Sequence, residues 1–247
     1  SKPLDEAEEM RLKTGGMLSA IMGTSNLVPD MEELIRDAEI LTALSQRNKH
    51  LSKFHFQNQS GIKVSEQLHG KTVTIIHNKD DFAKTLGRMM RKMRMIVDIV
   101  DTLNFNPSTD SSDVVILGPG PGNINDMNDQ KMKALTTHTR ELMKQKRNIL
   151  GICLGYQVIA KEMGMEIEKL PSPTQGVQIN MKIDEVSQML GFYNSFCPTK
   201  EGQYLPIIQK ENISGFQFHP ESIMSENGFK ILHDELVRIF TFCPKLR

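Results

Sequence analysis

The sequence contains no tryptophan and three cysteines among 247 residues, and its charges cancel, with 30 Lys and Arg against 30 Asp and Glu. A net charge of zero gives no electrostatic reason to expect binding to nucleic acid or to an anionic membrane. No apolar run approaches the roughly 20 residues that a membrane-spanning helix needs, and no signal peptide is visible. Cys153, Cys197 and Cys243 form neither a disulfide framework nor a zinc pattern, so we expect a reducing, cytoplasmic location.

The stretch from Gly151 to Gln157 places a cysteine between an apolar run and a helical pattern. Ile149 to Ile152 is predicted to be a strand, and Gly164 is placed to end the helix that follows. This arrangement is typical of a nucleophile elbow, in which glycines flank a nucleophile at a sharp turn from strand to helix. The helix N-terminus would favour a thiolate at Cys153, and the N–H of Leu154 could stabilise an oxyanion. A buried core cysteine is the plain alternative.

Two further stretches strengthen the first interpretation. Gly118-Pro119-Gly120-Pro121-Gly122 directly follows an apolar strand predicted over Val114 to Leu117. It is not a phosphate-binding P-loop, because no Gly-Lys-Ser/Thr follows it. The third stretch, from Gly215 to Ser222, contains His219 and Glu221. In an extended segment, residues i and i+2 point the same way, so both side chains could face the thiol.

Taken in this order, the three motifs resemble the class I, or triad, glutamine amidotransferases, from about Lys71 to about Phe240. The branch that looks closest serves chorismate-using synthases, such as anthranilate synthase and the phenazine-pathway aminodeoxyisochorismate synthase. The resemblance implies a glutaminase that releases ammonia from glutamine for the amination of chorismate, to aminodeoxyisochorismate or anthranilate. Free ammonia is mostly protonated in neutral water, so a protected ammonia channel is expected as well.

Hydrolysis of a carboxamide at neutral pH needs an activated nucleophile, a proton carrier and an oxyanion clamp. We assign Cys153 as the nucleophile, His219 as the base and Glu221 as the group that orients the imidazole. By the family match, Gly120 and Leu154 donate the two oxyanion hydrogen bonds. The same match implies that the substrate glutamine is held by Gly120, Gly122, Gln157, Ser195 and Phe196.

From Lys71 onward the sequence alternates between strand and helix patterns. Amphipathic helices are predicted from Asp80-Asp81, from Asn128 and around Phe229 to Ile239. Further strands are predicted at Val73 to Ile76, Ile96 to Val100, Gly176 to Ile183 and Phe216 to Phe218. Such alternation predicts an α/β fold with a doubly wound, mostly parallel sheet, here preceded by helical segments. Sites in these sheets lie at the carboxyl ends of the strands.

The N-terminal segment carries a second resemblance. Glu6, Glu9 and Lys13 are spaced by three and four residues, so they share one face of a helix predicted over Ser1 to about Ile21. On spacing alone, a solvated ion-pair face is favoured. The segment nevertheless resembles the last helix of chorismate-utilising synthase domains. That match implies that Glu9 is a Mg²⁺ ligand, Glu6 a water-mediated one and Lys13 a contact to a substrate carboxylate; no cofactor is implied for the glutaminase site.

These features divide the chain into a synthase fragment at 1–25, a linker at 26–70 and an amidotransferase domain at 71–247. Two stretches depart from the wider family pattern and look like the phenazine-type fused enzyme, namely Gln175-Gly176-Val177-Gln178 and Phe192-Tyr193-Asn194-Ser195-Phe196. The expected partners are glutamine, chorismate through the synthase domain, and either a second copy of the chain or a separate synthase domain. Neither nucleic acid nor a membrane is expected.

Two other classes of function stay open. One is a γ-glutamyl hydrolase or cysteine peptidase on the same fold, against which the synthase-like helix around Glu9 argues. The other is a non-catalytic regulatory role. The complete set of Cys153, His219 and Glu221 argues against that.

Overall fold

A computed structural model describes residues 36–56 and 62–242. The chain divides into two units, residues 1–49 and 50–247. In the first, helix α1 (Ala38–Asn48) begins after Asp37, whose carboxylate accepts hydrogen bonds from the N–H groups of Glu39 and Ile40 at 2.8 and 3.0 Å. The helix predicted over residues 1–21, with Glu6, Glu9 and Lys13, lies outside the described residues. The three-part division of the chain stays a prediction.

The second unit is built on two sheets with helices around them. Its strands are β1 (Thr72–His77), β2 (Ile96–Asp101), β3 (Val114–Leu117), β4 (Ile149–Ile152), β5 (Glu166–Ile183), β6 (Val186–Lys200), β7 (Gln203–Tyr204), β8 (Ile207–Lys210) and β9 (Ile213–Phe216). Its helices are α2 (Lys53–Phe56), α3 (Phe82–Lys92), α4 (Gln130–Lys144), α5 (Leu154–Glu162) and α6 (Gly228–Phe242), with a 3₁₀ turn at Glu66–Leu68.

The central sheet has six strands in the order β2-β1-β3-β4-β9-β8. Every neighbouring pair is parallel except β8 and β9, which are antiparallel. The predicted mostly parallel α/β sheet is therefore confirmed. One strand is shifted along the chain relative to its prediction, because β9 spans Ile213–Phe216 rather than Phe216 to Phe218.

Successive side chains of the central strands enter two separate cores, as the alternation of a β-strand requires. Ile75 and Ile116 belong to the core that includes α3 and α6, whereas Ile76 and Leu117 belong to the core that includes α4 and α5. Both faces of the sheet are thus covered by helices, which is the doubly wound arrangement. The abundant methionines fill part of the first core, where Met89 and Met90 of α3, and Met93 just after it, are fully buried.

The strand order places a crevice at the carboxyl ends of the strands. Strand β1 has β2 on one side and β3 on the other, so the chain reverses its direction across the sheet at this point. Ligands of doubly wound sheets bind at such a reversal. The segments that follow β1, β3, β4 and β9 all come together at this edge, where they line one pocket.

A second sheet, with the order β5-β6-β7, is antiparallel. The sequence predicted only its part from Gly176 to Ile183 as a strand. The pairing of β5 with β6 shifts register between Lys169 and Thr174, and again between Gln175 and Val177. Gly176 takes a φ of +71° at the second shift, a conformation that favours glycine. These irregularities bend the hairpin, and residues of both its strands line the crevice.

Candidate active site

The cysteine stands at a strained turn between strand and helix. β4 ends at Ile152, α5 begins at Leu154, and Cys153 between them has φ 52° and ψ −103°. Residues other than glycine rarely adopt a positive φ, and such strain is characteristic of nucleophile elbows. The predicted elbow is confirmed.

Glycines are required on both sides of this turn. A Cβ on Gly155 would lie 2.0 Å from the carbonyl oxygen of Leu117, and one on Gly151 would lie 2.7 Å from the carbonyl carbon of Gly155. Since the carbonyl groups of Leu117 and Gly155 belong to the backbone, they cannot move aside as a flexible side chain does. The close approach of α5 to β3 and β4 therefore fixes the position of Cys153.

His219 and Glu221 form a buried pair beside the cysteine. Nδ1 of His219 lies 2.8 Å from Oε1 of Glu221, and the two residues are 2% and 0% exposed. The pair does not arise from an extended strand, as the sequence had suggested, because the chain turns at Pro220 and Glu221. A hydrogen bond from the N–H of Ser222 to the carbonyl oxygen of His219, at 3.1 Å, closes this turn.

The surroundings of His219 control its charge. Burial alone would lower the pKa of His219, but the Glu221 carboxylate and the adjacent Cys153 sulfur hold that pKa well above its ordinary value of 6.5. The ring of Phe82 lies 4.8 Å from the imidazole between centroids, and that of Tyr193 lies 4.9 Å away. Nε2 makes no hydrogen bond to the described residues that satisfies ordinary geometry. It is therefore the ring nitrogen that is left to exchange a proton.

The sulfur of Cys153 has two polar neighbours besides the histidine. The residue is 6% exposed. Its thiol donates weakly to the carbonyl oxygen of Tyr193 at 3.9 Å, and the side-chain Nε2 of Gln217 approaches the sulfur at 3.6 Å. Sequence reasoning gave Gln217 no role, although it belongs to the same motif as His219.

The glycine-proline loop after β3 is held against the end of β1. The side chain of Asn78 donates a hydrogen bond to the carbonyl oxygen of Pro121 at 2.5 Å. A Cβ on Gly120 would lie 2.6 Å from the Cβ of Asn78, so no larger residue fits there without a shift. Leu154 is the first residue of α5, and its N–H has no partner within the helix. The two predicted oxyanion donors, Gly120 and Leu154, line one pocket with Cys153.

This pocket has a volume of about 410 Å³, in the range of cavities that hold small molecules. It contains Cys153, His219 and each described residue that the sequence assigned to glutamine binding. Those residues are Gly120, Gly122, Gln157, Ser195 and Phe196. Glu221 lies behind His219 rather than on the wall. Lys13, the remaining predicted substrate contact, lies outside the described residues. The roles of all these residues stay predictions.

Six further wall residues had been given no role in the site from the sequence, namely Asp80, Phe82, Pro121, Gln175, Tyr193 and Asn194. Asp80 and Asp81 were interpreted only as the start of an amphipathic helix. In the structure Asp80 accepts a hydrogen bond from the N–H of Phe82 at 2.6 Å, whereas Asp81 makes no side-chain cap bond. The position of Asp80 just after the carboxyl end of β1 was the signal that could have found this part of the wall.

Residues 36–56 and 62–242 contain neither a metal site nor a membrane span. No group of three or more His, Cys, Asp or Glu side chains in these ranges could hold a metal ion. No helix in the same ranges is long and apolar enough to cross a membrane. The predicted ligands Glu6 and Glu9 fall outside them.

The fold and the site together define a doubly wound α/β protein with a cysteine elbow and a neighbouring His-Pro-Glu turn. The family model "Glutamine amidotransferase class-I" matches residues 74–201 and 191–239. The chain belongs to the class I glutamine amidotransferases.

Individual relatives agree with this assignment. The chain is 29% identical, over an alignment 264 positions long, to "Anthranilate synthase, phenazine specific" from Pseudomonas fluorescens, with 99% of this chain and 40% of the relative covered. The chain thus spans about 40% of the length of that relative. It is 28% identical over 158 residues to "Anthranilate synthase component 2" from Helicobacter pylori, with 56% of this chain and 77% of the relative covered.

A solved structure shows the same fold. It belongs to a protein from Thermoplasma acidophilum described as part of a GMP synthase, and it matches with a TM-score of 0.58 at 19% identity. The match covers 71% of this chain and 94% of that one. At this identity the likeness concerns the fold alone.

Proposed function

We propose that this chain is the glutaminase part of a glutamine-dependent enzyme that aminates chorismate. The observation that carries the proposal is the single pocket that Cys153 and His219 share with the predicted glutamine contacts, with Glu221 behind the histidine. The name of the Pseudomonas relative, a phenazine-specific anthranilate synthase, supports chorismate as the molecule that is aminated. The amination of chorismate would require a synthase domain, which would correspond to the part of that relative that this chain does not cover.

In the proposed reaction, the sulfur of Cys153 attacks the carboxamide carbon of glutamine while the thiol proton passes to Nε2 of His219. The tetrahedral intermediate places its negative oxygen between the N–H groups of Gly120 and Leu154. The C–N bond then breaks as His219 returns the proton to the nitrogen, and ammonia leaves. Water attacks the remaining γ-glutamyl thioester, which releases glutamate and restores the thiol. Glu221 keeps the imidazole in the orientation and charge state that both proton transfers need.

The wall that would hold the substrate is joined to the elbow by one hydrogen bond. Nε2 of Gln157, on α5, donates to the carbonyl oxygen of Phe196, on β6, at 2.8 Å. The bond connects the helix that begins at the nucleophile with the strand that carries the predicted contacts Ser195 and Phe196. A glutamine held by this wall would be placed over Cys153, which is how positioning accelerates a reaction between bound groups.

The ammonia would pass to a synthase site through a protected route and aminate chorismate, to aminodeoxyisochorismate or anthranilate. The name "component 2" of the Helicobacter relative describes one part of an assembly and supports a partner synthase component, either as a fused domain or as a separate chain. A homo-oligomer of the chain is a further proposal.

The test is Cys153→Ser in the complete enzyme. Amination with glutamine should be lost, and amination with added ammonia should persist, because the proposed glutaminase and synthase sites are separate. The control is Cys197→Ser, since Cys197 is also buried but lies against the carbonyl oxygen of Leu205 at 3.9 Å. The control should keep both activities. Loss of ammonia-dependent amination together with the glutamine-dependent activity in Cys153→Ser would contradict the two-site scheme.

The magnesium role of Glu9 and Glu6 and the carboxylate contact of Lys13 are also proposals, which the resemblance alone supports. Mg²⁺ prefers a few carboxylates together with water and an anionic substrate group. The measurement is ammonia-dependent product formation by the complete Glu9→Gln enzyme across a magnesium titration. A large loss of turnover with unchanged glutaminase folding is expected. Wild-type rate and magnesium dependence would refute the role.

A further inference from the structure

Gln217 is a buried polar residue that contacts the sulfur of Cys153. It lies one residue after β9 and is 0% exposed. Its backbone N–H donates to the carbonyl oxygen of Pro206 at 2.8 Å, which fixes the position of the residue. Its side chain reaches in two directions, towards Gln157 at 3.2 Å and towards the sulfur of Cys153 at 3.6 Å.

The hydrogen-bond chain determines which end of the Gln217 amide faces the sulfur. The carbonyl oxygen of Phe196 can only accept, so the group of Gln157 that contacts it at 2.8 Å is the NH₂. That same NH₂ contacts Gln217, which must therefore present its carbonyl oxygen to Gln157. The NH₂ of Gln217 is left to point at Cys153. The orientation of the Gln217 side-chain amide is thus set by the backbone carbonyl of Phe196 on β6, which lies 21 residues before Gln217 in the sequence.

We propose that Gln217 is a catalytic residue, whose side-chain N–H stabilises the thiolate of Cys153. The inference rests on the proposed function of Cys153 as the nucleophile. A neutral thiol can donate to the carbonyl oxygen of Tyr193, whereas a thiolate cannot, so ionisation removes that contact. Cys153 is 6% exposed, and few waters can replace the lost partner. A fixed N–H donor then stabilises the negative sulfur, both before attack and when the thioester breaks down.

The alternative is that Gln217 only fills space in the core. The two roles differ in how Cys153 should respond to pH. A donor to the thiolate should speed alkylation most at neutral pH and less at high pH, where thiols in general are ionised. Replacing a residue that only fills space would change the alkylation rate by the same factor at neutral and at high pH.

The experiment measures the rate at which iodoacetamide alkylates Cys153, by peptide mapping, at pH 7 and pH 10. Gln217→Met keeps the length of the side chain and removes the donor, and Gln217→Glu places an acceptor beside the sulfur. At pH 7 we expect alkylation about tenfold slower in Gln217→Met, as for loss of a hydrogen bond to a charged group, and slower still in Gln217→Glu. At pH 10 the rates of wild type and Gln217→Met should converge. Equal rates at pH 7 in folded variants, or the same ratio at both pH values, would overturn the proposal.

A matched control is Gln188→Met. Gln188 is also buried, at 8% exposure, but lies on β6 away from the residues that line the active-site pocket. It should react at the wild-type rate. A chloroketone analogue of glutamine separates the two proposals. If it fails to label Cys153 in the wild-type chain, the proposed function fails. If it labels Cys153 there and the variants at position 217 behave as wild type, only the role of Gln217 fails.

A second measurement leaves residue 217 unchanged and so does not depend on a variant that folds. With ¹⁵N-labelled glutamine, the side-chain NH₂ signal of Gln217 can be followed while Cys153 is titrated. We expect the signal to shift as the thiol ionises in the wild-type chain and to stay fixed in Cys153→Ser. A signal that stays constant through the ionisation of Cys153 would overturn the proposal.

Discussion

The substitution Gly155→Ala tests whether close packing of α5 positions Cys153, the proposed nucleophile. A Cβ on Gly155 would lie 2.0 Å from the carbonyl oxygen of Leu117 and 2.5 Å from the carbonyl carbon, whereas real Cβ contacts stay beyond 3.0 Å. Both atoms belong to the backbone of β3, which pairs with β1 on one side and β4 on the other. The strand is held from both sides, so the helix must move, by about 1 Å (from 2.0 to 3.0 Å).

The expected cost follows from this displacement. Overpacking a close-packed core costs about 1–3 kcal/mol, and a contact with backbone belongs at the upper end, about 3 kcal/mol. For a domain of this size each kcal/mol lowers the melting temperature by about 2–4 °C, so a fall of about 6–12 °C is expected. The helix also carries Leu154 and follows directly on Cys153. A 1 Å misplacement of reacting groups can cost about 100-fold in rate.

The assays are thermal unfolding by circular dichroism and glutamate release from glutamine. Gly164→Ala is the control, because Gly164 follows the same helix at its other end and a Cβ added there would have no atom within 4 Å. Its φ of +84° makes the substitution cost backbone strain of about 1–2 kcal/mol. The control should therefore melt somewhat earlier and release glutamate at the wild-type rate. A Gly155→Ala chain with wild-type melting temperature and wild-type turnover would refute the reasoning.

Three further outcomes are expected. Glu221→Gln removes the carboxylate that, against the effect of burial, raises the pKa of His219 above 6.5. A raised pKa in the folded state contributes stability that is complete below about pH 6.5 and is lost as the pH rises through the folded-state value. The free energy of unfolding, measured by urea denaturation, should therefore fall more in Glu221→Gln at pH 5.5 than at alkaline pH. An equal fall at both pH values would contradict this. Burial, together with the nearby Cys153, raises the pKa of Cys197 to about 12, so peptide mapping after alkylation at pH 8 should find label on Cys153 and none on Cys197; the reverse would count against the site. Nε2 of His55 lies 3.0 Å from the carbonyl oxygen of Glu221, so His55→Ala should lower glutaminase turnover several-fold and His55→Gln, which keeps a donor, should restore it. His50→Ala, which removes the side-chain contact of His50 to Glu226 at 3.2 Å, is the control for the two His55 variants. Equal effects of His55→Ala and His50→Ala on turnover would argue against a role of His55 in positioning Glu221.

Much of the fold was predictable from the sequence because it is specified locally. The apolar runs of β1, β3 and β4 give buried strands, and the glycines around Cys153 allow only a tight turn between strand and helix. Repetition of these units specifies a parallel sheet with helices on both faces. Strand ends then collect at one edge, so the meeting of Gly120, Cys153 and His219 also followed from short motifs.

The tertiary structure decided how the site is completed, because the contacts involved depend on local turns and on the packing of separate elements. The chain leaves β9 two residues earlier than its apolar pattern indicated, and the pairing of Glu221 with His219 depends on a turn rather than on strand alternation. The wall from Tyr193 to Phe196 depends on register shifts in the β5–β6 hairpin. The path from Phe196 through Gln157 and Gln217 to Cys153 joins three segments, namely β6, the elbow with α5, and the residue after β9. Hydrogen bonds of this kind depend on distances of a few tenths of an ångström between packed elements, and residue type and spacing along the chain do not specify those distances.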